Sequence, residues 1–162
     1  MKKKIIAIVL LLCVTLLALT ACFGEKEKEF TVDEMTITLT TQFTEKDVYG
    51  QTKCYQSIRT LVTVLKESYS SLGVTSTFTL KQYTQAVLDA NKLDATITQG
   101  DKYYSFSYEK DVSGQTYYYF ATTHKADNAF WLIQFSCFSS DKDKYQETFE
   151  KWADSVVFEA NA

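Results

Sequence analysis

Between Tyr103 and Phe138 the chain runs through three segments of alternating bulk, Tyr103 to Lys110, Gln115 to Thr123 and Ala129 to Phe138, with only a few polar residues between them. Ser113-Gly114 and Ala126-Asp127-Asn128 supply the turn chemistry, and Gln99-Gly100-Asp101 precedes the first segment. Period-2 segments joined by connections this short pair with one another and run antiparallel. A β-meander is therefore the frame on which the rest of the chain has to pack. Met35, Ile37 and Leu39, alternating with Thr36, Thr38 and Thr40, predict a further strand with one buried face. Ser57 to Lys66, rich in Ile58, Leu61, Val62, Val64 and Leu65, reads as one strand, Ala95 to Thr98 as a short one, and Val156 to Glu159 as a closing one.

Two segments change to helical spacing. Thr79 with Gln82 three residues on forms a capping box, and Phe78 just before it can staple onto Tyr83. Leu80, Tyr83, Val87 and Ala90 then share a face, and Asn91 can close the helix. A second helix starts near Ser140 or Asp141, with Asp141 and Asp143 suited to the positive end of its dipole and Tyr145, Phe149, Trp152 and Val156 as an apolar stripe. Segregated strands and helices with an antiparallel meander predict an α+β sandwich with a sheet of about six strands.

Aromatic residues are the one compositional excess, 11 Tyr and 11 Phe. Tyr104, Phe106 and Tyr108 share one strand face, Tyr117 and Tyr119 oppose Tyr118 and Phe120, and Trp131, Ile133 and Phe135 oppose Phe130 and Leu132. Bulk on both faces fits two core layers. It also fits a face left partly open, for which Tyr103, Tyr117 and Tyr119 are the candidate binding surface, since tyrosine offers a large apolar area with a polar tip.

The amino-terminal residues read as an address rather than as fold. Lys2, Lys3 and Lys4 precede an apolar run from Ile5 to Leu19, a little short of a bilayer span, with an uncleaved anchor helix as the alternative reading, and small residues Thr20 and Ala21 lead to Cys22. Leu19-Thr20-Ala21-Cys22 resembles the bacterial lipobox. The resemblance implies cleavage between Ala21 and Cys22 and a diacylglyceryl group on the Cys22 sulfur, anchoring the chain on the outer side of the bacterial cell membrane. Two acyl chains hold a protein stably where one does not. Residues 22–29, alternating in charge, read as a solvated tether, leaving 30–162 as a single domain.

Without residues 1–21 the chain keeps 14 of its 17 Lys and Arg and all 20 Asp and Glu, a balance of about −6. An acidic domain with no basic stripe is a poor partner for nucleic acid or for anionic headgroups through charge alone. Cys54 and Cys137 remain after Cys13 and Cys22 are accounted for, either as a disulfide or as two small buried hydrophobes. No Cys-x-x-Cys and no pair of histidines suggests a metal site. His124, the single histidine, comes with no recognisable nucleophile or orienting carboxylate, no Gly-x-Ser-x-Gly elbow is present, and no glycine-rich phosphate loop occurs. No cofactor is expected.

Phe130 to Cys137, the polar turn after it, Tyr145, Phe149 and Ser155-Val156-Val157-Phe158 resemble the carboxy-terminal half of PsbP-like domains, and the order of the earlier elements extends the resemblance over residues 30 to 160. That family includes the extrinsic photosystem subunit and many bacterial lipoproteins of unknown function. The resemblance implies a central antiparallel sheet with a helix layer on each face, and binding or assembly rather than catalysis. The expected function is a lipid-anchored module for another envelope protein, with uptake or sensing of a small ligand or peptide as the alternative.

Overall fold

The structure is a computed structural model that describes residues 25–159. Ala21 and Cys22, the cleavage and lipidation positions, lie outside the described residues. Among the described residues, ten strands are arranged in two antiparallel sheets. The smaller sheet joins β1 (Glu27–Val32), β2 (Met35–Thr40) and β10 (Val157–Phe158) in the order β1-β2-β10. The larger holds β3 (Thr44–Lys46), β4 (Lys53–Gln56), β5 (Thr60–Ser68), β6 (Thr98–Gln99), β7 (Tyr104–Val112), β8 (Gln115–Lys125) and β9 (Ala129–Phe138) in the order β3-β4-β5-β9-β8-β7-β6. Helices α1 (Tyr69–Leu72), α2 (Leu80–Asn91) and α3 (Lys142–Asp154) complete the domain, α3 being entered through a 3-10 turn at Ser139–Asp141.

The meander forms as expected: β7, β8 and β9 are consecutive antiparallel neighbours, and β9 spans the anticipated residues. The turn between β7 and β8 is the two-residue Ser113-Gly114, both with positive φ (53° and 82°). This conformation matches the right-handed twist of the flanking strands and locks Val112 opposite Gln115. The sheet has seven strands rather than about six, because two short ones, β3 and β4, carry too little alternation to be read in advance. The expected strand from Ser57 to Lys66 is interrupted. Ser57 donates its backbone N–H to Thr60 O, and its Oγ accepts from Arg59 N and Thr60 N. The chain thus reverses at 57–59 and β5 begins only at Thr60. The tether is also shorter than expected, since Glu27, Lys28 and Glu29 pair with Thr40, Leu39 and Thr38.

Two separate clusters of buried side chains share β9. Trp131, Ile133, Phe135 and Cys137 pack with Val62 and Val64 of β5, Tyr118 and Phe120 of β8, Met35, Ile37 and Leu39 of β2, and Phe149 and Trp152 of α3. Phe130 and Leu132, of the opposite parity, pack with Phe106, Ala121 and Tyr83, Val87 and Leu88 of α2. Thr84 of α2 and Thr123 of β8 share a buried 2.6 Å hydrogen bond. The capping box at Thr79 is complete, with Gln82 N donating to Thr79 Oγ1 and Thr79 N donating to Gln82 Oε1. Phe78 and Tyr83, the residues of the expected staple, both pack on the Phe130 ring. Thr79→Ala should lower unfolding free energy by about 1 kcal/mol, measured as a shift of the urea midpoint. No change would mean that α2 is held by packing alone.

Candidate functional site

Register sorts the three tyrosines proposed as a binding surface. The Val112–Gln115 turn places Tyr119 opposite Tyr108 and Tyr117 opposite Lys110, while β9 brings Phe138 beside Tyr117 and Ser136 beside Tyr119. Tyr117 and Tyr119 therefore stand on one face of one strand, both half-buried. The Tyr108 and Tyr119 rings stack at 4.8 Å and 5°, and Tyr117 leans on Phe138 at 5.1 Å. Around this ladder Ile58, Arg59, Leu61, Val112, Ser136 and Phe138 line a shallow depression of about 380 Å³. Ile58 is 94% exposed and Val112 is also exposed. Burial raises the Tyr119 phenol, with Tyr117 adding to it, and raises Tyr108 to about 12, with Tyr119 adding to it and the amide of Gln134, which donates to Tyr108 Oη at 3.1 Å, opposing. The Tyr108 and Tyr119 rings stay neutral at physiological pH.

Tyr103 does not join them. It precedes β7 and has the parity opposite to Tyr104, so it packs with the cluster on the other side and lies 5.3 Å from the His124 ring. Its hydroxyl donates to Asp154 Oδ1 at 2.8 Å. Burial first, and this hydrogen bond second, push its phenol upward. Tyr103 clasps the end of α3 instead of offering a surface. The separation was available from the sequence, because a two-residue turn at 113–114 dictates which residues of β7 face Tyr117 and Tyr119.

A second concavity lies between β5, α1 and α2. Leu65, Leu72, Val74, Phe78, Val87 and Leu132 are among the residues that enclose about 340 Å³, and Glu67 contributes a carboxylate. Tyr83, stacked on Phe130 at 4.5 Å, donates its hydroxyl to Glu67 Oε2 at 2.7 Å. Periodicity could not have revealed this groove, because it depends on α1, a four-residue turn capped by Ser68, which accepts from Ser71 N.

His124 is buried, only 3% exposed, and is wedged between Tyr103 and Phe158. Its Nε2 shares a 3.0 Å hydrogen bond with Thr122 Oγ1, and desolvation lowers its pKa to about 4. The imidazole is thus a neutral core group. Cys54 and Cys137 are both free and buried. β5 runs between their strands, and Cys54 sits on the row of Thr63 while Cys137 faces Thr60. Two strand spacings of about 4.8 Å plus a three-residue offset exceed the roughly 7 Å that a disulfide can bridge. The alternative reading of the two thiols as small buried hydrophobes holds, and burial raises both, Cys137 to about 11. Among the described residues no group of three or more His, Cys, Asp or Glu is placed to hold a metal ion, and no helix is long and apolar enough to cross a membrane.

No family model matches the sequence, and comparison with curated proteins finds no match either. Solved structures do match in fold. Cyanobacterial PsbP (CyanoP) from Synechocystis superposes with a TM-score of 0.50 at 16% identity, covering 85% of this chain and 96% of its own. The Ran-binding protein Mog1p from Saccharomyces cerevisiae gives 0.56 at 10% identity, covering 83% and 96%. A protein from Bacteroides thetaiotaomicron gives 0.60 at 8% identity over 85% of this chain, which corresponds to 49% of that longer one. The domain therefore has the PsbP-like fold.

Proposed function

We propose that this chain is an extracytoplasmic lipoprotein of the bacterial envelope, anchored through lipid on Cys22, whose PsbP-like domain binds or helps assemble another envelope component without performing chemistry. The observation that carries the reading is the half-exposed Tyr117–Tyr119 ladder, continued by Phe138, Val112 and Ile58. Aromatic surface that is rigidified by stacking and keeps free hydroxyl tips is the material of protein-binding hot spots. The domain reads as a sandwich with α2 on one face of the seven-stranded sheet and α3 with the small sheet on the other, a reading supported by the two clusters that divide β9 by parity. On the α2 side, the ladder is the stretch of face that the helix leaves uncovered. A Ran-binding neighbour of the same fold supports protein binding as one use of the architecture.

The test is crosslinking in native membranes followed by mass spectrometry, comparing the natural chain with Tyr117→Ser/Tyr119→Ser. Loss of the Tyr108–Tyr119 stack should cost about 1 kcal/mol, so the double variant should still unfold cooperatively while its crosslinked partner disappears. A partner retained at full yield sinks the tyrosine surface. A molten double variant would instead make the ladder part of the core.

The Glu67 groove favours a second reading, binding of a small apolar ligand, because it is concave, mostly aliphatic and carries one fixed carboxylate. Under that reading Val87→Trp, which fills the groove, abolishes ligand binding and leaves the crosslinked partner untouched.

A further inference from the structure

We infer that the end of the sheet bearing the 57–59 turn rests on the lipid bilayer, with Ile58 inserted at the headgroup boundary and Arg59 and Lys144 beside it reaching phosphate oxygens. The inference rests on the lipid-anchor reading of Cys22 and adds to it an orientation, which that reading lacks.

Tether length comes first. Because β1 starts at Glu27, only residues 23–26 separate the lipidated cysteine from the sheet. Three residues take the chain from Cys22 to Glu25, at most about 11 Å when fully extended. A seven- or eight-residue tether would reach about 25–29 Å, whereas this one keeps Glu25 within about 11 Å of the anchor.

The place where the described chain begins then decides which end is held down. Glu25 borders the same depression as Ser57, Thr60, Lys144 and Tyr145. Lys26 is fixed beside it, its carbonyl accepting from Thr41 N at 2.8 Å. The anchor therefore emerges at the end of the sheet where β4 turns into β5. The other end, where β5 reaches Ser68, lies eight residues beyond Thr60, roughly 26 Å away at 3.3 Å per residue. An anchor held within about 11 Å of Glu25 cannot bring that far end to the bilayer while the near end points away.

The chemistry of the near end fits this position. Ile58 sits at the tip of a tight turn whose hydrogen bonds come from Ser57 and Thr60, so the turn asks nothing of residue 58, and an aliphatic side chain there is 94% exposed. Val112 is exposed on the adjacent hairpin, and Tyr117 and Tyr145 stand beside the tip with apolar bodies and polar ends. Tyrosine is enriched at membrane–water interfaces for this reason, and long basic side chains snorkel there. Arg59 is well exposed and pairs with Asp141 at 3.3 Å. With Asp141 and Asp143 close by, long-range attraction to anionic lipid is weak. The tether supplies the local concentration and the apolar tip supplies the contact. The Tyr117–Tyr119 ladder shares residues 58 and 59 with this edge, so a partner would meet it at the height of the bilayer.

Site-directed spin labelling tests the orientation. The full chain is expressed in a bacterium with Ile58→Cys or, as the opposite-end control, Tyr49→Cys, a residue fully exposed in the β3–β4 hairpin. Cys54 and Cys137 are buried and their thiols raised, so the label goes to the new cysteine. Intact mass establishes whether the chain begins at a diacylglyceryl-modified Cys22. In vesicles of phosphatidylethanolamine and phosphatidylglycerol, the label at 58 should collide several-fold more with oxygen than with a water-soluble nickel chelate, and the label at 49 should show the reverse. Equal collision ratios at the two sites in a lipid-modified chain overturn the orientation and leave the anchor reading standing. A mass with residues 1–21 retained and no lipid overturns both.

Discussion

Phe149→Ala should remove about 3–5 kcal/mol of stability, enough to leave much of a domain of ordinary stability unfolded at moderate temperature. Phe149 is fully buried where α3 meets the large sheet. Its ring lies 5.7 Å from those of Phe135 and Tyr145, 5.8 Å from Trp152 and 6.4 Å from Tyr118. Four aromatic partners fixed on three elements, α3, β8 and β9, cannot collapse into the space a benzyl group leaves, so the lost transfer free energy and a cavity term add. Glu150→Ala, one residue on and exposed, should change stability by no more than about 0.5 kcal/mol. Urea denaturation followed by circular dichroism measures both. A loss below about 1 kcal/mol for Phe149→Ala would mean that α3 is not docked as described.

Acid should weaken the domain through His124 more than through any other single group. Its pKa falls from 6.5 to about 4 on folding, because burial between Tyr103 and Phe158 disfavours the imidazolium. A depressed folded pKa makes the contribution fully present above the unfolded value, and it is lost as pH falls from 6.5 towards 4. The span corresponds to about 3 kcal/mol, of which about 2 kcal/mol is gone by pH 5. His124→Gln removes the titration while keeping a group able to hydrogen-bond Thr122. Between pH 7.5 and 5 the natural chain should therefore lose about 2 kcal/mol more than the variant in urea titrations. Identical losses would show that protonation of this side chain is accommodated in the folded state.

The parts of this fold that announced themselves are those in which each local preference agrees with the global arrangement. β9 is bulky at every second position on both faces because each parity feeds a different cluster, so its limits were readable to the residue. The α2 start was readable because Thr79 and Gln82 satisfy each other before any tertiary contact forms. β1 was not. Glu27, Lys28 and Glu29 look like solvated chain because only Phe30 of this strand is fully buried, and its pairing is imposed by β2, which supplies Met35, Ile37 and Leu39 to the core. Ile58 misled in the opposite sense. Its aliphatic side chain looked like one more strand residue, whereas Ser57 closes the chain into a turn there. Ala95 and Ile97 also carry strand-like character, yet they pack beside α2 and only Thr98–Gln99 pairs with β7. In the candidate surface, the facing of Tyr117 and Tyr119 followed from the turn between β7 and β8, while the groove beside Glu67 arises from long-range packing of a short helix that no periodicity encodes.

The large sheet ends on β3 and β6, three and two residues long, and every residue of both is exposed. A neighbouring chain seeking to extend the sheet would find at most a few backbone groups to pair with, next to the charges of Glu45 and Lys46. This matters most where molecules are confined to a plane with their axes aligned, since a long open edge there would zip copies into ribbons. With the rims of the large sheet this short, copies of the chain cannot join through that sheet into a continuous ribbon.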